Sequence, residues 1–215
     1  MVSKGAPRRV RFADAHFHVS ARRVLDVGCG AGAHLRHFGP GSVGLELDPD
    51  AIRRGVAGGL DIRPWNFEEA IPADLRGGFD IVWASNLFEH VLAPHPFLID
   101  LRTALRPGGR LLIVAPTIHR LPLGPFRGYL AADHVNFFTP RTMALTIERA
   151  GYRIETVASA SFPGAPLAVA SALRWVAPGV LIAATAIEGF DYPAKAHKRL
   201  TNGRIVFEGT LGEDG

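Results

Sequence analysis

The chain has 215 residues, 47% hydrophobic and 20% charged, which suits one α/β domain with a sizeable core and excludes a disordered polypeptide. One cysteine, Cys29, excludes an intramolecular disulfide scaffold and suits a reducing cytoplasm. The net charge of +4 comes without any Arg-rich, aromatic-interleaved segment, so a dedicated nucleic-acid module is not expected.

The positive surplus falls early, at Lys4, Arg8, Arg9, Arg11, Arg22 and Arg23, and residues 1–21 read as a basic arm, solvated or else touching RNA, an anionic substrate or acidic lipid head groups. His16 and His18 in this arm are placed to help close a site. Val24–Val27 (VLDV) then reads as a first buried strand, and the glycine-rich GCGAGAHL behind it opens a helix near 33–38. A short strand is expected at 42–47 and a helix at 49–56. Phe79–Ser85 (FDIVWAS) is another apolar strand. A helix at 97–105 stops at Arg106-Pro107-Gly108-Gly109, and a strand follows at 110–115. Thr139 caps a helix with Pro140 at its first position and Gly151 just past its end. Tyr152–Ser159 returns to strand. Strands alternating with helices imply a doubly wound, mostly parallel sheet, whose ligands lie beyond the strands' carboxyl ends.

The turn admits two readings. Gly28, Gly30 and Ala33 fit the dinucleotide pattern G-x-G-x-x-G/A, whereas Gly28, Gly30 and Gly32 fit the G-x-G-x-G used for S-adenosylmethionine. Asp26, two residues before Gly28, discriminates between them. A pyrophosphate about 5 Å from that carboxylate would be repelled by about 3 kcal/mol, whereas S-adenosylmethionine brings a cationic ammonium and sulfonium and no phosphate. Glu46, at the end of the second strand, can accept both ribose hydroxyls with either cofactor. Asp26 therefore favours S-adenosylmethionine.

The segments VLDVGCGAG, VGLELD, FDIVWASNLFEHV and LRPGGRLLIVAP, in this order, resemble the class I S-adenosylmethionine-dependent methyltransferases. The likeness continues through HVNFFTPRTMALTIERAGYRI, roughly residues 22–155. It implies a Rossmann-like fold in which Gly28, Gly30 and Gly32 admit the methionine part, Glu46 holds the ribose, and Leu47 and Ser85 complete the cofactor contacts. WNFEEAIP stands where an acidic residue and its neighbour commonly touch adenine; here these are Asn66, whose amide oxygen can still meet the adenine amino group, and Phe67.

Methyl transfer to a hydroxyl requires alignment of the nucleophile and removal of its proton. The candidates lie after the fourth and fifth strands: Asn86, Glu89 and His90 in NLFEH, His119, and His134 in DHVNFFT. The spacing resembles the Glu-x-x-Glu-His … His pattern of ubiquinone-pathway O-methyltransferases and small-RNA 2′-O-methyltransferases, which use a divalent metal. This chain departs from it at the first position, where Asn86 replaces Glu. Losing an anionic ligand weakens a hard-cation site, so no metal is assigned, and His90, His134 and Glu89 are read as the catalytic group.

Residues 165–187 are almost all apolar, but Arg174 and Pro178-Gly179 argue against a membrane span. Two helices, at 166–176 and 180–188, are expected to form an insertion (163–200) on the 22–162 core. The final strand of the core would then lie in 201–215 (GRIVFEG). The insertion reads either as an ordinary buried cap or as an apolar face that lines a pocket, pairs with a second subunit or touches a membrane surface. Lys195, Lys198, Arg199 and Arg204 behind it read as a solvated charge run, with contact to anionic head groups beside such a face as the alternative. The reading is O-methylation of a small or lipid-like molecule. The alternatives are RNA 2′-O-methylation and a non-catalytic S-adenosylmethionine-binding subunit.

Overall fold

The computed structural model describes residues 2, 5–117, 134–159, 179–190, 197–201 and 204–208. His119 and residues 165–178 lie outside the described residues, as do the side chains of Lys195, Lys198, Arg199 and Arg204. The elements run α1 (Arg8–Phe17), β1 (Val24–Val27), β2 (Val43–Glu46), α2 (Pro49–Ala57), β3 (Ile62–Pro64), β4 (Phe79–Ser85), α3 (Pro94–Ala104), β5 (Leu105–Pro116), α4 (Pro140–Arg149), β6 (Tyr152–Ser159), β7 (Gly179–Ala186), β8 (His197–Thr201) and β9 (Arg204–Glu208).

Among the described residues, seven strands form one sheet in the order β3-β2-β1-β4-β5-β7-β6. The pairs β1–β2, β1–β4, β2–β3 and β4–β5 are parallel. β7 runs antiparallel to both of its neighbours. The strand order reverses between β1 and β4, which puts a ligand crevice over their carboxyl ends. The strands are apolar on both faces because both are covered. Leu25, Val27, Val82, Ala84, Leu111 and Ile113 pack with Leu98 and Leu101 of α3 and Met143 and Ile147 of α4. On the opposite face Val24, Ile81, Trp83, Leu112 and Val114 pack with Val10, Ala13 and Phe17 of α1.

Four sequence expectations need correction. Residues 5–21 are not a solvated arm. Val10, Ala13 and Phe17 share one helical stripe, and α1 buries it against the sheet before ending at His18 in the left-handed region (φ 56°). His16 serves this helix, its Nδ1 lying 2.9 Å from the Phe12 carbonyl oxygen. The helix expected at 33–38 shrinks to one 3₁₀ turn, Leu35–His37, because Phe38 goes extended ahead of Gly39-Pro40-Gly41.

The helix expected at 180–188 is the strand β7, wedged between β5 and β6. A short apolar run reads equally well as a buried helix or a buried strand, and Leu181, Ile182, Ala183 and Ala184 are needed inside on both faces. The 180–184 stretch therefore offers no apolar face to a membrane or a second subunit. β9 does not complete the core either: it pairs with β8 in a separate two-stranded sheet, and β7 takes its place. No helix of the described residues is long and apolar enough to cross a membrane.

Candidate active site

The glycine turn leaves β1 as the spacing demands. Gly28, Gly30 and Gly32 adopt φ of 68°, 54° and 78°, a region that side chains avoid. The Gly28 and Cys29 N–H groups donate to the Leu45 carbonyl at 2.8 and 3.1 Å, locking the turn to β2. A Cβ on Gly30 would meet nothing within 4 Å, so the backbone there faces open space. Cys29 beneath the turn is buried. Burial, followed by Asp26 and Glu46, pushes its thiol far above the ordinary cysteine value, so it is not a nucleophile at neutral pH.

Asp26 is 1% exposed. Its carboxyl accepts the Leu35 N–H, and burial, then the Glu46 charge, raises it well above the carboxylate range. Its Oδ2 is buried without a hydrogen-bond partner. Glu46 closes over the turn: Oε2 accepts the Gly30 N–H at 2.7 Å, and Oε1 accepts the Leu47 and Asp48 N–H groups at 2.8 and 2.9 Å. Leu47 is exposed beside it. In the loop after β3 the Asn66 Oδ1 accepts the Glu68 N–H at 3.1 Å, so that oxygen is shared with its own turn. Phe67 lies partly buried against the core.

The second half of the site follows β4. Asn86 sits at φ 54° and donates its N–H to the Val114 carbonyl at 2.8 Å. The chain turns there, with the His90 N–H on the Leu87 carbonyl at 2.9 Å. Glu89 is 2% exposed with Oε2 unpartnered. Burial raises its carboxyl, and His90, His134 and Arg9 offset part of that rise. The His90 Nε2 lies 4.0 Å from Glu89 Oε1, and the His90 and His134 rings meet edge-on at 4.8 Å. One ligand atom from each of Glu89, His90 and His134 lies within 4.8 Å of the others, a spacing that suits a proton relay and a divalent cation alike.

Sequence reasoning missed one charge in this site. Arg9 of α1 is half-buried, and its Nη1 donates to Ser85 Oγ at 3.0 Å and to Asn86 Oδ1 at 3.3 Å. A guanidinium therefore bonds to Asn86, the residue that stands where the metal-binding pattern has its first carboxylate. Charge counting could not separate Arg9 from Arg8 and Arg11. The Val10–Ala13–Phe17 stripe was the signal, since it marks a packed helix rather than a free arm.

A family model described as a methyltransferase domain matches residues 6–157. The chain belongs to the methyltransferase-domain family. This methyltransferase is 26% identical over 172 residues to a ubiquinone biosynthesis O-methyltransferase of Xanthomonas axonopodis pv. citri, covering 70% of this chain and 71% of the relative. It is 34% identical over 151 residues to a tRNA U34 carboxymethyltransferase of Methylococcus capsulatus, covering 63% of this chain and 46% of the relative. In three dimensions it resembles an S-adenosylmethionine-dependent methyltransferase from Mesorhizobium loti, with TM-score 0.61 and 18% identity, over 81% of this chain and 95% of that one. The methyltransferase is a class I, S-adenosylmethionine-dependent enzyme. The residues present fit that cofactor: Asp26 carries a buried orphan oxygen, the space over Gly30 is open, and Arg9 supplies a cation at the end of β4.

Proposed function

We propose that this methyltransferase methylates an oxygen of a small or lipid-like molecule. The observation that carries the reading is the juxtaposition of His90, His134 and Glu89 beside the ends of β1 and β4. When bound, S-adenosylmethionine supplies a methyl carbon already activated by its sulfonium leaving group. Asp26 would hold its ammonium, Arg9 and Ser85 its carboxylate, and Glu46 its ribose hydroxyls. Leu47, Asn66 and Phe67 would border its adenine. An acceptor hydroxyl loses its proton as the new bond forms, and His90 or His134 takes it. Glu89, buried alongside, stabilises the imidazolium that results. Leu92, Val135 and Phe137 are exposed around the pair, Leu92 at 71%, and offer an apolar rim to the body of the acceptor. The same reading puts the enzyme in the cytoplasm, where a lone buried thiol stays reduced.

Glu46→Ala is expected to weaken S-adenosylhomocysteine binding by about 1.5–3 kcal/mol, because a charge-assisted pair is lost. Calorimetry checks it, and unchanged affinity removes Glu46 from the site.

The methyltransferase is expected to retain its turnover in chelator. Asn86 is neutral, and the Arg9 guanidinium beside it repels a divalent ion. Complete loss of activity in chelator, restored by Mg²⁺ or Zn²⁺, would instead make Glu89, His90 and His134 ligands.

A relative named for tRNA U34 and the basic character of the chain support RNA as a second acceptor class. Incubation with methyl-labelled S-adenosylmethionine and either a panel of phenols and catechols or total tRNA separates the two. Label in the small-molecule fraction supports the proposal, and label in tRNA alone overturns it.

A further inference from the structure

Residues 134–139 are irregular backbone, so no helix or strand ladder fixes His134, yet its ring meets His90 edge-on at 4.8 Å. Its segment is tied to residues 89–91 by a strip-to-strip contact. The Val135 and Asn136 N–H groups both donate to the Glu89 carbonyl at 3.0 Å. Those two bonds are backbone bonds that any non-proline residue makes. They share one acceptor, and a segment hung on one atom can pivot about it. The third bond comes from a side chain: Asn136 Nδ2 donates to the Val91 carbonyl at 2.5 Å. It supplies a second attachment point, two residues further along the facing strip.

The alternation of the segment agrees. In extended chain, side chains two apart share a side; Val135 and Phe137 are exposed at 49% and 47%, while His134 and Asn136 are half-buried. Phe138 anchors the far end by stacking on Phe88 at 4.8 Å and 9°.

We propose that Asn136 is a positioning residue that sets His134 against His90. This rests on the reading of the two histidines as the proton-handling pair, which is tested separately by their own replacement. The role needs a short side chain that donates. An aspartate of the same size would turn an acceptor toward the Val91 carbonyl, and an alanine would leave that carbonyl without its bond.

The experiment is nuclear magnetic resonance of the full chain labelled at histidine, with no acceptor required. A nuclear Overhauser contact between the His90 and His134 ring protons is expected in the natural protein. It is expected to disappear in both Asn136→Ala and Asn136→Asp. S-adenosylhomocysteine affinity should stay within about twofold, since Glu46 and the glycine turn share no bond with Asn136. A contact absent from the natural protein, or kept in either variant, overturns the proposal. So does a fall of about tenfold or more in cofactor affinity, which marks a general structural role. If the ring contact behaves as expected but His90→Ala and His134→Ala turn over normally, the catalytic reading fails while the positioning of His134 by Asn136 stands.

Discussion

Replacing His90 or His134 by alanine is expected to lower kcat by roughly 10²–10⁴, with S-adenosylhomocysteine binding nearly unchanged. The two effects should separate because the histidines sit beyond Asn86, after β4, and ahead of α4, whereas the groups proposed to hold the cofactor lie on α1, on the turn after β1, at the ends of β2 and β4 and in the loop after β3. Their rings are in contact, and both share the buried Glu89 carboxyl, so they act as a unit. The double variant should therefore lose about as much as the worse single one. Steady-state kinetics with an acceptor from the small-molecule screen, together with calorimetry, decides it. Near-normal kcat in both single variants would leave alignment alone as the source of rate and move the search to amines or already acidic phenols.

Acid is expected to destabilise the fold through His34. Burial, then the charges of Arg9 and His37, push its imidazole down to about 4, and its ring lies edge-on to Trp83 at 5.5 Å. The unfolded chain takes up this proton near the ordinary histidine value of about 6.5, while the folded chain resists it until about 4. Folding stability from this group is thus complete above the ordinary value and is lost as pH falls from there toward 4. The loss amounts to about 3 kcal/mol. His34→Gln removes the titration. Urea unfolding at pH 7 and pH 4 should show the variant losing about 3 kcal/mol less than the natural protein over that interval. Equal losses would place the His34 ring in water rather than against Trp83.

Local chemistry made much of the site legible. The turn after β1 was readable because the positive φ of Gly28, Gly30 and Gly32 is a demand that a side chain cannot meet, so glycine spacing reports it directly. Asp26 and Glu46 follow from strand ends, and Phe79–Ser85 and Tyr152–Ser159 from apolar runs with punctuated edges. The cap of α4 follows from Thr139 and Pro140. In each case the cause lies within a few residues of its effect.

What the tertiary structure alone decided are contacts between distant parts of the chain. Residues 180–186 carry the same apolar run whether helical or extended, and only the gap between β5 and β6 makes them a strand. Arg9 is one arginine among several in the sequence. It becomes part of the site because α1 packs on the Trp83 face and delivers its guanidinium to Ser85, 76 residues away. His90 and His134 were both readable as candidates, but their edge-on contact depends on the Glu89 and Val91 carbonyls meeting residues 135 and 136. Pairings of that kind carry no signature in local periodicity, because their free energy is gained only once the sheet has brought the two strips together.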